Sequence, residues 1–69
     1  MIVVMAGTRV VLAKDDVRAL ADHLWKGLCP GAVTAAGKLD AALGRTGTVE
    51  LEAYEVDAVR ESLAVLGLS

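Results

Sequence analysis

The 69-residue chain contains no phenylalanine, asparagine or glutamine, and one residue each of cysteine, histidine, proline, tryptophan, tyrosine and isoleucine. Each shortage removes a class of protein. Cys29 alone cannot form an internal disulfide, so the cross-linked scaffolds of small secreted domains are excluded. His23 and Cys29, one of each type, leave too few ligands for a structural zinc site. Seven basic residues are scattered among nine acidic ones, for a net charge of −2. The basic run that grips phosphates is missing, which argues against nucleic acid as a partner. No stretch approaches the ~20 apolar residues of a membrane span, so no membrane association is expected. Arg9 interrupts the apolar start Met1–Ala6 too early for a secretion signal. These absences point to the cytoplasm, and the free use of Ala, Val, Gly and Arg resembles coding in a GC-rich bacterial genome.

What the chain has in quantity is small aliphatic material. Hydrophobic residues make up 55% of it, and the mean hydropathy is +0.54. A chain this short buries only about 60% of its unfolded surface. Small scaffolds usually need a staple. With disulfides and zinc set aside, unusually efficient packing or self-association remains, and a homodimer is expected to hide the apolar surplus.

The pattern along the chain predicts an α+β fold in one domain over 1–69: three helices with a small antiparallel sheet, in the order (β)βααβα. Ile2–Met5 is a β-branched run that Ala6-Gly7 can turn into a hairpin with Thr8–Leu12. Alternatively, residues 1–7 form a flexible extension or an extra edge strand. Val17, Leu20, Ala21, Leu24 and Leu28 share one face of a helix over Lys14–Lys26, with Asp15 and Asp16 in its first turn. Ala13 is its poor N-cap. After Leu28-Cys29-Pro30-Gly31, a second helix over Ala32–Leu43 carries the stripe Val33, Ala36, Leu39 and Leu43. Gly44-Arg45-Thr46-Gly47 turns the chain into the alternating strand Thr48–Leu51. A third helix over Ala53–Leu66 lines up Val56, Val59, Leu63 and Leu66, with Glu55, Asp57, Arg60 and Glu61 facing solvent. Glu52 is its N-cap and Gly67 its terminator.

Two of these stretches repeat each other. Val10–Leu24 matches Val49–Leu63 at an offset of 39, with Val10 on Val49, Leu12 on Leu51, Val17 on Val56 and Leu24 on Leu63. A true repeat implies a pseudo-twofold relation between two strand–helix units. Any strand that leads into an amphipathic helix produces a similar pattern.

Residues with chemical potential are few. His23 and Cys29 lie six residues apart across a helix end, but only Lys26 is near to lower the thiol pKa, and no third group orients the pair. Asp15, Asp16 and Asp22 have no metal-binding spacing, and the helix dipole accounts for the first two. Glu50 and Glu52 suit a solvated strand face. Gly44–Gly47 runs from helix to strand, the wrong order for a phosphate loop, and lacks its lysine. No catalytic, cofactor-binding or metal-binding residue is therefore assigned; a non-enzymatic protein without a cofactor is expected. Tyr54 is expected to pack over a helix N-terminus. Trp25, Leu28 and Val65 are large, apolar and off the centre of their stripes, and they are the expected interface residues.

The strand–helix–helix order of Thr8–Leu43 resembles the ribbon-helix-helix repressors and antitoxins, over about half the chain and in element order alone. The resemblance implies strand pairing between two copies and DNA reading by Thr8 and Arg9. The chain departs from that family in its acidity, its single basic residue on the strand, and the extra segment Thr48–Leu66. The expected role is thus a protein–protein interaction or dimerisation module that binds itself or another protein, with DNA-binding regulation as the alternative.

Overall fold

The structure is a computed structural model, and it describes residues 1–45 and 47–68. Ile2–Met5 (β1) and Thr8–Val11 (β2) form a hairpin. Lys14–Trp25 (α1) and Pro30–Arg45 (α2) follow, then Thr48–Leu51 (β3) and Ala53–Leu66 (α3). The expected α+β order is present. The sheet differs from the expected antiparallel one: it is mixed, in the order β2-β1-β3, with β1 antiparallel to β2 and parallel to β3. The first strand is thus neither a loose extension nor an edge. It is the middle of the sheet, and the two strands it separates do not pair with each other. The physical reason lies in its sequence. Ile-Val-Val-Met is apolar at every position, the pattern of a strand with neighbours on both sides, whereas β2 and β3 each carry charge.

The hairpin turn is two residues long, since Met5 pairs with Thr8. Ala6 (φ 49°) and Gly7 (φ 90°) both have positive φ, as the turn type that matches strand twist requires. Glycine does this freely; alanine does it at a cost.

One face of the sheet carries the core. Val3, Met5, Val49 and Leu51 are buried against the helices with Val17, Leu20, Leu24, Leu39, Val56, Val59 and Leu63. Val10, Leu43 and Leu66 are only partly buried at its margin. The expected α2 stripe is displaced. Its buried residues are Gly31, Ala32, Ala35, Ala36, Leu39 and Ala42, while Val33 is 46% exposed. Small residues supply most of this face, with Leu39 as its one large side chain, where α2 packs against both α1 and α3. The helix also begins two residues earlier than expected, because Pro30 suits a first helical position. It continues through Gly44 to Arg45; the expected turn at Gly44–Gly47 includes Thr46, which lies outside the described residues. α1 ends at Trp25, and Ala13 caps it with no side-chain hydrogen bond. α3 ends as expected, with Gly67 in the left-handed conformation at φ 72°.

The 39-residue correspondence has a spatial counterpart. Val10 and Val49, matched in sequence, both sit opposite Val3, one on each side of β1. His23 and Ser62, matched at the same offset, are joined across α1 and α3 by a 2.8 Å hydrogen bond. β2 and β3 run in opposite directions, since one is antiparallel and the other parallel to β1. Within the sheet, the pairing fits a local twofold axis through Val3 that exchanges β2 with β3 and reverses β1.

Among the described residues, no helix is long and apolar enough to cross a membrane.

Candidate functional site

The most unusual chemistry in the molecule is at the junction of α2 and α3. Gly31 opens α2 against the start of α3. A Cβ there would lie 2.6 Å from the Tyr54 carbonyl oxygen and 3.0 Å from Glu55 Cα, so only glycine permits this approach. Positions 31, 34 and 38 share one face of α2. They place the Thr34 hydroxyl and the Lys38 ammonium beside the first turn of α3.

Glu55 fills the space between the two helices and is completely buried. Its Oε1 accepts from Lys38 Nζ at 2.6 Å and from the Glu52 backbone N–H at 2.8 Å. The second bond is the returning arm of a capping box at the α3 N-terminus. Oε2 is buried with no hydrogen-bond partner among the described residues. Burial pushes this carboxyl upward, but the hydrogen bonds from Lys38 and the Glu52 amide, with help from Thr34, outweigh it. The result lies below the usual carboxylate range. The Thr34 hydroxyl itself donates to the Gly31 carbonyl at 3.1 Å. The hydrogen bond to Glu55 raises the Lys38 pKa against a smaller opposing effect of burial. A carboxylate held ionised in this way is a weak proton acceptor near neutrality. The group therefore works as a charged clamp between two helices.

The sequence placed Glu55 in solvent, and the structure corrects that. The signal was present: 55, 59, 62 and 66 fall at i, i+4, i+7 and i+11, the spacing of one helix face. Ser62, also buried, was missed for the same reason, although the repeat aligns it with His23.

Lys38 also borders a shallow groove of about 300 Å³ between α2 and β3, lined further by Ala41, Ala42, Arg45, Thr48, Val49 and Glu50. Glu55 does not line it.

The residues singled out from sequence are dispersed. His23 is bonded to Ser62, not to Cys29, which is exposed. Asp22 pairs with Lys26 at 3.3 Å on an exposed helix surface. Among the described residues, no group of three His, Cys, Asp or Glu side chains could hold a metal ion. Trp25 is 48% exposed, and its indole N–H donates to Asp40 Oδ2 at 2.7 Å, which ties α1 to α2. Leu28 is entirely exposed in the linker between those helices, and Val65 is exposed in the last turn of α3. Thr8 and Arg9 are exposed on β2, a strand already paired within the chain to β1.

Among the described residues, no helix covers the second face of the sheet. Arg9, Val4 and Glu50 form one cross-strand row on it, and Val11, Ile2 and Thr48 form the next. The helices lie on the opposite face, where Val3, Met5, Val49 and Leu51 point. Comparison with family models, with curated proteins and with solved structures returns no match.

Proposed function

We propose that this protein is a non-enzymatic protein–protein interaction module that works by presenting apolar side chains to a second copy of itself or to another protein. The observation that carries this reading is uncovered apolar surface. Leu28 is fully exposed, Val65 and Val11 are more than half exposed, and Trp25 is nearly half exposed. Single exposed apolar residues are ordinary, but this many large ones on so small a domain go beyond what folding needs. Trp25 adds a feature of interface anchors: the bond to Asp40 fixes its ring before any partner arrives, which lowers the ordering cost of binding.

DNA binding is less well supported. Arg9 is the only basic residue on the strand that would enter the groove, and net charge is negative.

The test is absolute mass in solution, by light scattering on a sizing column at two protein concentrations. Mass that rises with concentration above the 7.1 kDa of one chain supports the module reading. Loss of that association in Trp25→Ala, with the far-UV circular dichroism unchanged, would put the contact on the helical side. A mass of one chain at every concentration overturns self-association.

A further inference from the structure

We infer that the open face of the sheet is a self-complementary docking surface, and that its occupant is the same face of a second copy, with Arg9 of each chain meeting Glu50 of the other. The inference rests on the interaction-module reading and goes further by naming the partner and the surface.

Three observations on this face converge. The first is the composition of β1. Strands covered on both faces read as near-continuous apolar runs, and β1, which pairs parallel with β3, is apolar on both faces. Val3 and Met5 lie under the helices; Ile2 and Val4 point the other way and are partly exposed, with no helix over them among the described residues. Val11 extends the apolar stripe and is 71% exposed. The second observation is the arrangement of charge. In the row Arg9–Val4–Glu50, a cation flanks the central valine on one side and an anion on the other. Among the described residues, neither is engaged in an ion pair within the chain.

The third is symmetry. Place a second copy face to face, related by a twofold axis that runs along β1 between the two sheets. The rotation keeps position along the strand and exchanges left with right. Val4 then faces Val4 and Ile2 faces Ile2. β2 of one chain lies over β3 of the other, so Arg9 faces Glu50 twice, as an isologous interface requires. Sheets packed face to face are rotated by roughly 30°. At one strand spacing of about 4.8 Å from the axis, this displaces the charged pair by only about 2.5 Å, well within the reach of two long side chains. A twofold axis across the strands instead would lay β2 over β2 and β3 over β3, and would leave each charge without its opposite.

The surface is small. Three strands of four residues present a face of about 190 Å², against roughly 800 Å² per partner in a standard interface. The dimer is therefore of the weak, reversible class, and the charge pairs matter to its register more than to its strength.

The experiment is sedimentation or light scattering at upper-micromolar protein and low salt, on the wild type, Arg9→Glu, Glu50→Arg, and an equimolar mixture of the two variants. Both positions are exposed, and far-UV circular dichroism checks that each variant is folded. In either variant alone, two attractive pairs become two repulsive ones, and the dissociation constant rises about tenfold or more. In the mixture, the glutamate introduced on β2 of one chain meets the arginine introduced on β3 of the other. The native Arg9 and Glu50 form the second pair, so association returns as a heterodimer. Recovery on mixing supports the inference. A wild-type dimer that both substitutions leave unchanged overturns the sheet seam while leaving the module reading in place. Loss in both variants without recovery on mixing overturns the pairing of Arg9 with Glu50. A wild type that stays at the mass of one chain overturns the inference and self-association with it, and leaves another protein as the module's partner.

Discussion

Two glycines of α2 should answer the same substitution with opposite signs. At Gly31 a new Cβ would stand 2.6 Å from the Tyr54 carbonyl oxygen, about 0.8 Å short of ordinary contact, and 3.0 Å from Glu55 Cα. Both obstacles are backbone, so neither can swing aside. Relief requires α2 and α3 to separate, which lengthens the 2.6 Å bond between Lys38 and Glu55. Overpacking of this kind costs about 1–3 kcal/mol, and the better helix propensity of alanine returns less than about 1 kcal/mol at a helix start. Gly31→Ala is expected to destabilise by about 1–2 kcal/mol net. At Gly37, nothing lies within 4 Å of the same Cβ. The substitution there removes a mid-helix glycine and should stabilise by about 0.5–1 kcal/mol. For a domain of this size, 1 kcal/mol moves Tm by about 4–8 °C. Thermal unfolding followed by circular dichroism should therefore place Gly31→Ala several degrees below wild type and Gly37→Ala several degrees above it. If Gly31→Ala matched or exceeded the wild-type Tm, the close approach that buries Glu55 would be refuted. If Gly37→Ala lowered it, the free space on that side of α2 would be.

Other expectations follow from the turn and the buried carboxylate. Ala6→Asn keeps the positive φ but suits it better, and should raise Tm by about 2–8 °C, the effect of about 0.5–1 kcal/mol; an unchanged Tm would mean that the turn relaxes around alanine. Glu55 has a folded-state pKa below its unfolded value. Its contribution is thus present above the unfolded pKa and lost as pH falls through the folded one. Melting temperature should drop on acidification below the ordinary carboxylate range. Glu55→Gln should be less stable at pH 7 by about 1 kcal/mol, since Lys38 remains partly hydrated, and should show a shallower drop in acid. Parallel curves for the two proteins would assign the acid sensitivity elsewhere.

The sequence made some elements legible for clear reasons. Thr48–Leu51 and Ala53–Leu66 have the expected bounds because alternation, an acidic first turn and a terminal glycine agree there. α2 was readable as a helix but not in its facing. Alanine has too little hydrophobic contrast to mark a buried stripe, and Val33, the more apolar residue, misled. The position of β1 depends on a partner 46 residues away, from Ile2 to Thr48, and no local pattern specifies parallel pairing. Glu55 was hidden by chemistry: a charged residue in a first turn has a ready explanation in the helix dipole, so its place on the apolar face was overlooked. Arg9 was noticed for DNA, and Glu50 as a solvated carboxylate. Their relation appears only once both strands are aligned on Val4.

The central place of β1 also bears on how the chain is made. Ribosomes deliver the N-terminus first, yet this strand can gain its parallel neighbour only after residue 51 has emerged. Until then the hairpin has a single partner strand and an apolar edge, and an isolated two-stranded ribbon is marginal in water. Closing so long a loop delays the pairing that completes the sheet. β1, the first of these six elements to be made, thus waits for the fifth before its sheet is complete.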